Sequence, residues 1–465
     1  MPGHLYQDIA AALRAMIDQG ALAPGARLPS VRRIAHDHQV STMTALHALR
    51  LLESEQRVHS RPGSGYYVSA LEHARTGAAT SIDAAPLDTR KLEQNLATLN
   101  SGHGLGLELA GGHAELYPSD KLSALMRQAI KRDPALLGEQ VRGDGYPPLK
   151  QAIVARASQT GCRIDPQELS ITSGCVESID LALRAIVKPG DSVAVQSPTY
   201  FLALHMLRAH GVHIVEIPAT ADGIDMTAFE TALRTRPIKA FVVIGNFNNP
   251  GGQVIADAQK HAIVALAARH DVTIIEDDIY GDTHFGAARP RPLRAYSDQV
   301  VLCSSFSKTL SPGLRIGWVA GARHAGAIAA VKYITSKVTP LYPQAAIAAY
   351  LANGSYDVHL RRLRRTLKQY AQAMRAEVLQ RFPAGTQVSQ PAGGFVLWVT
   401  LPPDGPDTRS LFDRAAREGL LFNPGQLFST DTRYDRSLRL NFGVGCGAPV
   451  KKAIRRLAEL AAGRA

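Results

Sequence analysis

Residues 300–318 read VVLCSSFSKTLSPGLRIGW. The apolar start predicts a buried strand, and the serine-rich stretch leaves its carboxyl end. A lysine there, Lys308, can form a Schiff base with an aldehyde cofactor if its surroundings lower the cost of the neutral amine. Ser305, Ser307 and Arg315 supply phosphate donors around it. Alone, a lysine between serines is an ordinary surface residue, so its weight depends on the neighbouring segments.

Those segments supply matching groups. VTIIEDDIY (272–280) ends an apolar run in acids, which is expensive for a buried strand unless the acids serve something. A carboxylate facing a pyridine nitrogen keeps such a ring protonated and makes it an electron sink. Asp277, three residues before Tyr280, is the candidate, and a register slip of one leaves Asp278 open. Tyr280 suits a phenolic oxygen, and Asn249 in NFNNPGG (246–252) can share that contact. LSITSGCVESIDLALRAI (169–186) reads as a strand running into an amphipathic helix. With Gly174 at the turn, the N–H groups of Gly174, Cys175 and Val176 can meet a phosphate. Tyr200 in QSPTY (196–200) is a candidate to stack on a cofactor plane. In SLRLNFG (437–443), Leu438, Leu440 and Phe442 alternate with Arg439 and Asn441. An arginine fixed on a strand suits bidentate capture of a substrate carboxylate. Lys308, Asp277 and Tyr280 are therefore the candidate catalytic groups.

The runs LSITS, DSVAVQ, HIVEIP, AFVVIG, VTIIED and VVLCSS alternate with amphipathic helices. This order predicts an α/β domain over 106–465 with a mainly parallel sheet covered on both faces. A long helical stretch, then GFVLWV and LRLNF, predicts a smaller α+β lobe over about 330–465. Residues 71–105 lack periodicity and read as a linker.

Residues 1–70 form a separate unit. Leu5, Ile9, Leu13, Met16 and Ile17 recur at helical spacing until Pro24-Gly25. Ser30 can cap a second helix from Val31 to about Asp37, and Ser41 a third from Thr42 to about Glu53. RVHSRPGSGYYV (57–68) reads as a hairpin. Three helices and a hairpin are the order of a winged helix-turn-helix. In the third helix Ala45, Leu46, Leu49 and Leu52 face one way, and Met43, Thr44, His47 and Arg50 the other. That division suits a recognition helix. Arg32 and Arg33 can reach phosphates or base edges, and Ser41 and Thr42 the backbone. Gly63 at the hairpin tip lets main chain approach the minor groove beside His59 and Arg61.

The net charge of +12 fits a polyanionic partner, but only +2 of it lies in residues 1–70, so DNA binding rests on the motif. The four cysteines are scattered and give neither a disulfide framework nor a metal site. No secretory signal or membrane-spanning run is legible, which points to a soluble, cytoplasmic protein.

PGARLPSVRRIA (24–35), VSTMTALHALRLLE (40–53) and RPGSGYYV (61–68) resemble the GntR-type winged helix. TSG, SPTY, NNPGG, EDDIY, SFSK with Arg315, and RLNF stand in the order of fold-type-I pyridoxal phosphate enzymes, so 108–462 resembles an aminotransferase. The whole chain is similar to the MocR subfamily of GntR transcription regulators. The resemblance implies pyridoxal 5'-phosphate as cofactor, and promoter double-stranded DNA and a small amine or amino acid as partners. It also implies a homodimer. Gly-Cys-Val replaces the alanine and glutamine that relatives often carry after the turn glycine. Gln140 stands where aminotransferases carry a tyrosine that reaches the partner's cofactor. Two functions remain open, a ligand-sensing regulator and a working aminotransferase with a fused head. Residues 1–68, which have no catalytic use, favour the regulator.

Overall fold

The computed structural model describes residues 5–18, 22, 25–54, 58–61, 65–68, 81–82, 104–138 and 143–463. The chain divides into two compact units, 1–78 and 79–465.

In the first unit the helices are Leu5–Asp18, Val31–Asp37 and Thr42–Ser54, and the strands Val58–Arg61 and Gly65–Val68 pair antiparallel. Arg27 bridges Tyr67 and extends the hairpin by one residue. Ser30 caps the second helix, its hydroxyl accepting from the Arg33 N–H. The core joins Ile9, Ala10, Leu13 and Ile17 to Ile34, Ala45, Ala48, Leu49, Leu52, Val58 and Val68. Leu5 and Met16, expected on the apolar face, are exposed instead, and Ala10 takes a core position. Two short alanines, Ala45 and Ala48, let the helices approach closely.

In the second unit nine strands form one sheet among the described residues. The order is Ser81–Ile82, His213–Thr220, Ser192–Ser197, Ile238–Val243, Thr273–Asp277, Val301–Ser305, Gly317–Ala320 and Leu169–Thr172, with Gly223–Ile224 paired to His213–Thr220. The five from His213–Thr220 to Val301–Ser305 are mutually parallel. Gly317–Ala320, not expected as a strand, runs antiparallel to both of its neighbours. Alternation splits the apolar side chains between two layers. Val193, Val195, Val242 and Ile275 pack with Ile179, Leu183 and Leu204. Ala194, Phe241, Val243 and Ile274 pack on the opposite face with Phe229, Ile263 and Leu266.

A second sheet, Gln387–Val388, Val396–Thr400, Ser437–Asn441 and Asn423–Pro424, is wholly antiparallel. Part of this lobe comes from far upstream: Asn441 donates its N–H to the Leu107 carbonyl, 2.9 Å away. The expected lobe over 330–465 therefore also draws on residues near 107. No helix among the described residues is long and apolar enough to cross a membrane.

Gly317 shows how the sheet positions the turn at residue 174. A Cβ on Gly317 would lie 2.6 Å from the Gly174 carbonyl carbon and 2.9 Å from the Cys175 nitrogen. Both contacts are backbone, so neither can rotate away. Gly317→Ala should destabilise this unit by about 1–3 kcal/mol in a denaturant titration.

Candidate functional site

The strand ends converge on a cavity of about 340 Å³. Lys308, Asp277, Tyr280, Tyr200, Asn249, Cys175, Val176, Ser307, Arg315 and Arg439 all line it. Each of these except Arg439 follows or ends a strand of the large sheet, the usual place for ligands in open α/β folds.

Alternation decides between the two acids. Asp277 faces the cavity, whereas Glu276 and Asp278 point to the other side of the strand. Asp278 pairs with Arg289 and accepts from Asn246 at 2.8 Å. Glu276 accepts from the N–H groups of Leu293 and Arg294 at 2.7 and 3.0 Å. Only one of the three consecutive acids is left for a ligand. Burial first of all pushes the Asp277 carboxyl up to about 6, against the hydrogen bonds it accepts from Cys175 and from the Ile279 N–H.

The phosphate end is built around Gly174, which precedes the helix Cys175–Ile186 at φ 114°. A Cβ there would sit 2.5 Å from an Arg315 guanidinium nitrogen and would be strained at this φ, so glycine suits the position. Arg315 itself holds a left-handed φ of 51° and donates to the Ser173 carbonyl at 2.9 Å. Such strain in a non-glycine residue persists where surrounding bonds fix it, as at ligand sites. Ser305, expected as a phosphate donor, is engaged within its own loop. Its hydroxyl donates to the Ile316 carbonyl at 3.0 Å and accepts from the Ser307 N–H at 3.0 Å. Ser305 thus supports Ser307 from behind and lines a separate cavity, of about 270 Å³, with Asp278, Arg289, Arg156 and Arg364.

Asn249 donates to the Tyr280 hydroxyl at 3.3 Å. Arg439 is 1% exposed and donates to the Asn249 side-chain oxygen at 3.0 Å, to the Leu109 carbonyl at 3.0 Å and to the Glu108 carbonyl. Burial pulls Arg439 down to about 10, which leaves it a cation at neutral pH. The segment 106–111 was missed in the sequence. Its contribution is main-chain carbonyls, which no side-chain pattern announces. Asn441 holds it by donating to the Gly106 and Gly111 carbonyls, each at 2.9 Å.

This donor set fits a phosphorylated pyridine aldehyde. The glycine turn and helix start suit the phosphate, Asp277 the ring nitrogen, and Lys308 the aldehyde. Lys308 is half-buried, and burial, then the Arg439 and Arg315 cations, lower its amine to about 8 against the pull of Asp277. The nucleophile is the neutral amine, present above that pH. Capture of pyridoxal phosphate by the apo-protein, read as a growing visible band, should accelerate with rising pH and level off above about 8. Lys308→Ala should abolish the band.

On the N-terminal unit, Arg32, Arg33, Ser41, Thr42, His47 and Arg50 are exposed. Thr44 is half-buried and its hydroxyl bonds that of Ser41 at 2.8 Å. The Ser41 hydroxyl also accepts from the Thr44 N–H at 3.1 Å, so it serves first as helix cap. Gly63 and the side chain of Arg61 lie outside the described residues, as does Gln140. Exposed Arg27, beside Gly65 of the hairpin, was not singled out in the sequence. In the basic run 359–370, Arg364 turns inward and donates to the Asp282 carbonyl at 2.7 Å, while Arg361, Arg362, Arg365 and Lys368 are exposed.

Comparison with known proteins matches residues 115–457 to aminotransferase class I and II, and residues 5–68 to the gntR family of bacterial regulatory proteins. The chain is 34% identical to the HTH-type transcriptional regulator YdcR of Escherichia coli over 462 residues, 98% of each chain. It is 32% identical to the regulator YjiR of the same organism, again over 98% of each. A multiple substrate aminotransferase from Thermococcus profundus superposes with a TM-score of 0.73 at 25% identity, covering 82% of this chain and 95% of that one. With a gntR-family head joined to an aminotransferase class I and II domain, and relatives alike along almost their whole length, the chain belongs to the MocR subfamily of GntR regulators.

Proposed function

We propose that this chain is a pyridoxal-phosphate-dependent transcription regulator that binds promoter DNA and senses a carboxylate-bearing amine. The observation that carries the proposal is the fusion itself: one polypeptide holds a groove-reading head and a cavity with Lys308, Asp277 and Arg439. Relatives alike over 98% of the chain carry the name of transcriptional regulators.

Lys308 would carry the cofactor, with Ser307, Arg315 and the N–H groups of Cys175 and Val176 on its phosphate. Asp277 would pair with the ring nitrogen, Tyr280 and Asn249 with the phenolic oxygen, and Tyr200 with the ring face. When bound, the cofactor would supply an electrophilic carbon open to a primary amine, with Lys308 as the amine the protein provides. Arg439 recognises the carboxylate of that amine. Its donors already meet the carbonyls of Glu108 and Leu109, so a carboxylate competes with main chain for one guanidinium. The segment 106–111 follows directly on the stretch that leads from the head. Displacing it would be the change by which ligand capture biases the DNA-bound state. A ligand shifts such an equilibrium only by binding the two states unequally.

The regulator acts in the cytoplasm as a homodimer on a site of matching two-fold symmetry. Tyr333 and Ile334, 67% and 80% exposed on one helix, offer apolar surface to a second copy. A working aminotransferase is the second reading, favoured by the acid, amine and arginine that share the cavity. Promoter binding measured beside multiple-turnover assays separates the two. Turnover on the order of 1–100 s⁻¹ without specific DNA affinity would reverse the ranking.

Arg439→Ala should keep the visible cofactor band but weaken the response to amino acids roughly 10- to 100-fold, seen by spectral titration. Arg32→Ala and Arg50→Ala should lower promoter affinity, and loss of one phosphate contact should reduce the salt slope by about 1.

A further inference from the structure

Cys175 begins the helix Cys175–Ile186 at the turn expected to hold the phosphate, yet its side chain points elsewhere. Its thiol donates to Oδ1 of Asp277 at 3.1 Å. The Ile279 N–H donates to the same oxygen, also at 3.1 Å. Cys175 is 4% exposed and Asp277 6%, and both line the cavity. Two donors converge on one carboxylate oxygen, so neither of them occupies the other, Oδ2. A carboxylate pinned in this way cannot rotate about its last bond without losing both contacts.

We propose that Cys175 is a positioning residue, whose S–H fixes the Asp277 carboxylate and reserves Oδ2 for the ring nitrogen of the bound cofactor. The inference rests on the cofactor reading above and adds to it a residue expected only to offer its main-chain N–H. The bond requires the protonated thiol. Burial, followed by the adjacent Asp277 charge, holds Cys175 well above the ordinary thiol range, so the thiol stays a donor rather than a nucleophile.

The test compares a variant that keeps a donor, Cys175→Ser, with two that lack one, Cys175→Ala and the volume-filling Cys175→Val. Each apo-protein is titrated with pyridoxal phosphate by fluorescence quenching. The visible circular dichroism of the bound cofactor reports its orientation, and thermal melting without cofactor reports folding. Serine should hold the affinity within about twofold of wild type and keep the dichroic band, because a hydroxyl replaces the weak thiol donor. Alanine and valine should both weaken binding roughly three- to tenfold and alter the band, at nearly unchanged melting temperature. Wild-type affinity and dichroism in the alanine and valine variants would overturn the positioning role alone. So would a serine variant as impaired as they are. Wild-type protein that takes up no pyridoxal phosphate would overturn the cofactor reading together with this one.

Discussion

Asp277, Lys308 and Arg439 surround one cavity, and burial acts against the charge on each of them. Desolvating an ionised group without a partner costs several kcal/mol, so a fold that keeps three together must offset them locally. The offsets here are specific. Asp277 accepts from Cys175 and the Ile279 N–H, and Arg439 meets Asn249 and two main-chain carbonyls. Lys308 has the Asp277 charge working in its favour and two arginines against it. The groups are thus held where a phosphorylated, ring-bearing ligand can use them.

The rest of the large unit follows from that arrangement. Five strands deliver their carboxyl ends to the cavity, and the layers above and below them exclude water. The acids that accompany Asp277 are absorbed into a buried network. Lys260 donates to the Asn246 side-chain oxygen at 2.8 Å, Asn246 donates to Asp278, and Asp278 pairs with Arg289. This network stiffens the strand end behind the cavity without entering it. The same reasoning explains Ser305, whose hydroxyl is consumed by the loop it belongs to.

Arg439 joins the two lobes through the Asn249 side-chain oxygen. It sits on a strand of the small sheet and, within that lobe, grips carbonyls some 330 residues earlier in the chain. A contact of that kind is sensitive to competition, since a free carboxylate is a stronger acceptor than a peptide carbonyl.

Much of this was legible in one dimension. Six apolar runs between amphipathic helices specified a layered α/β unit, because strand and helix periodicities differ locally. The ordered motifs named the lysine, the acid pair, the glycine turn and the strand arginine, since each needs a particular residue type beside a strand end. The head was equally clear, from its two serine caps and the split faces of its third helix. What remained open were facts of packing. Alternation says that Asp277 and Asp278 face opposite ways, but only the layers on either side decide which way opens onto the cavity. The direction of Gly317–Ala320, the retreat of Ser305 and the carbonyls brought to Arg439 likewise depend on contacts between distant segments. Local propensity is written residue by residue, whereas the side of a strand that faces a ligand is set by everything packed against the other.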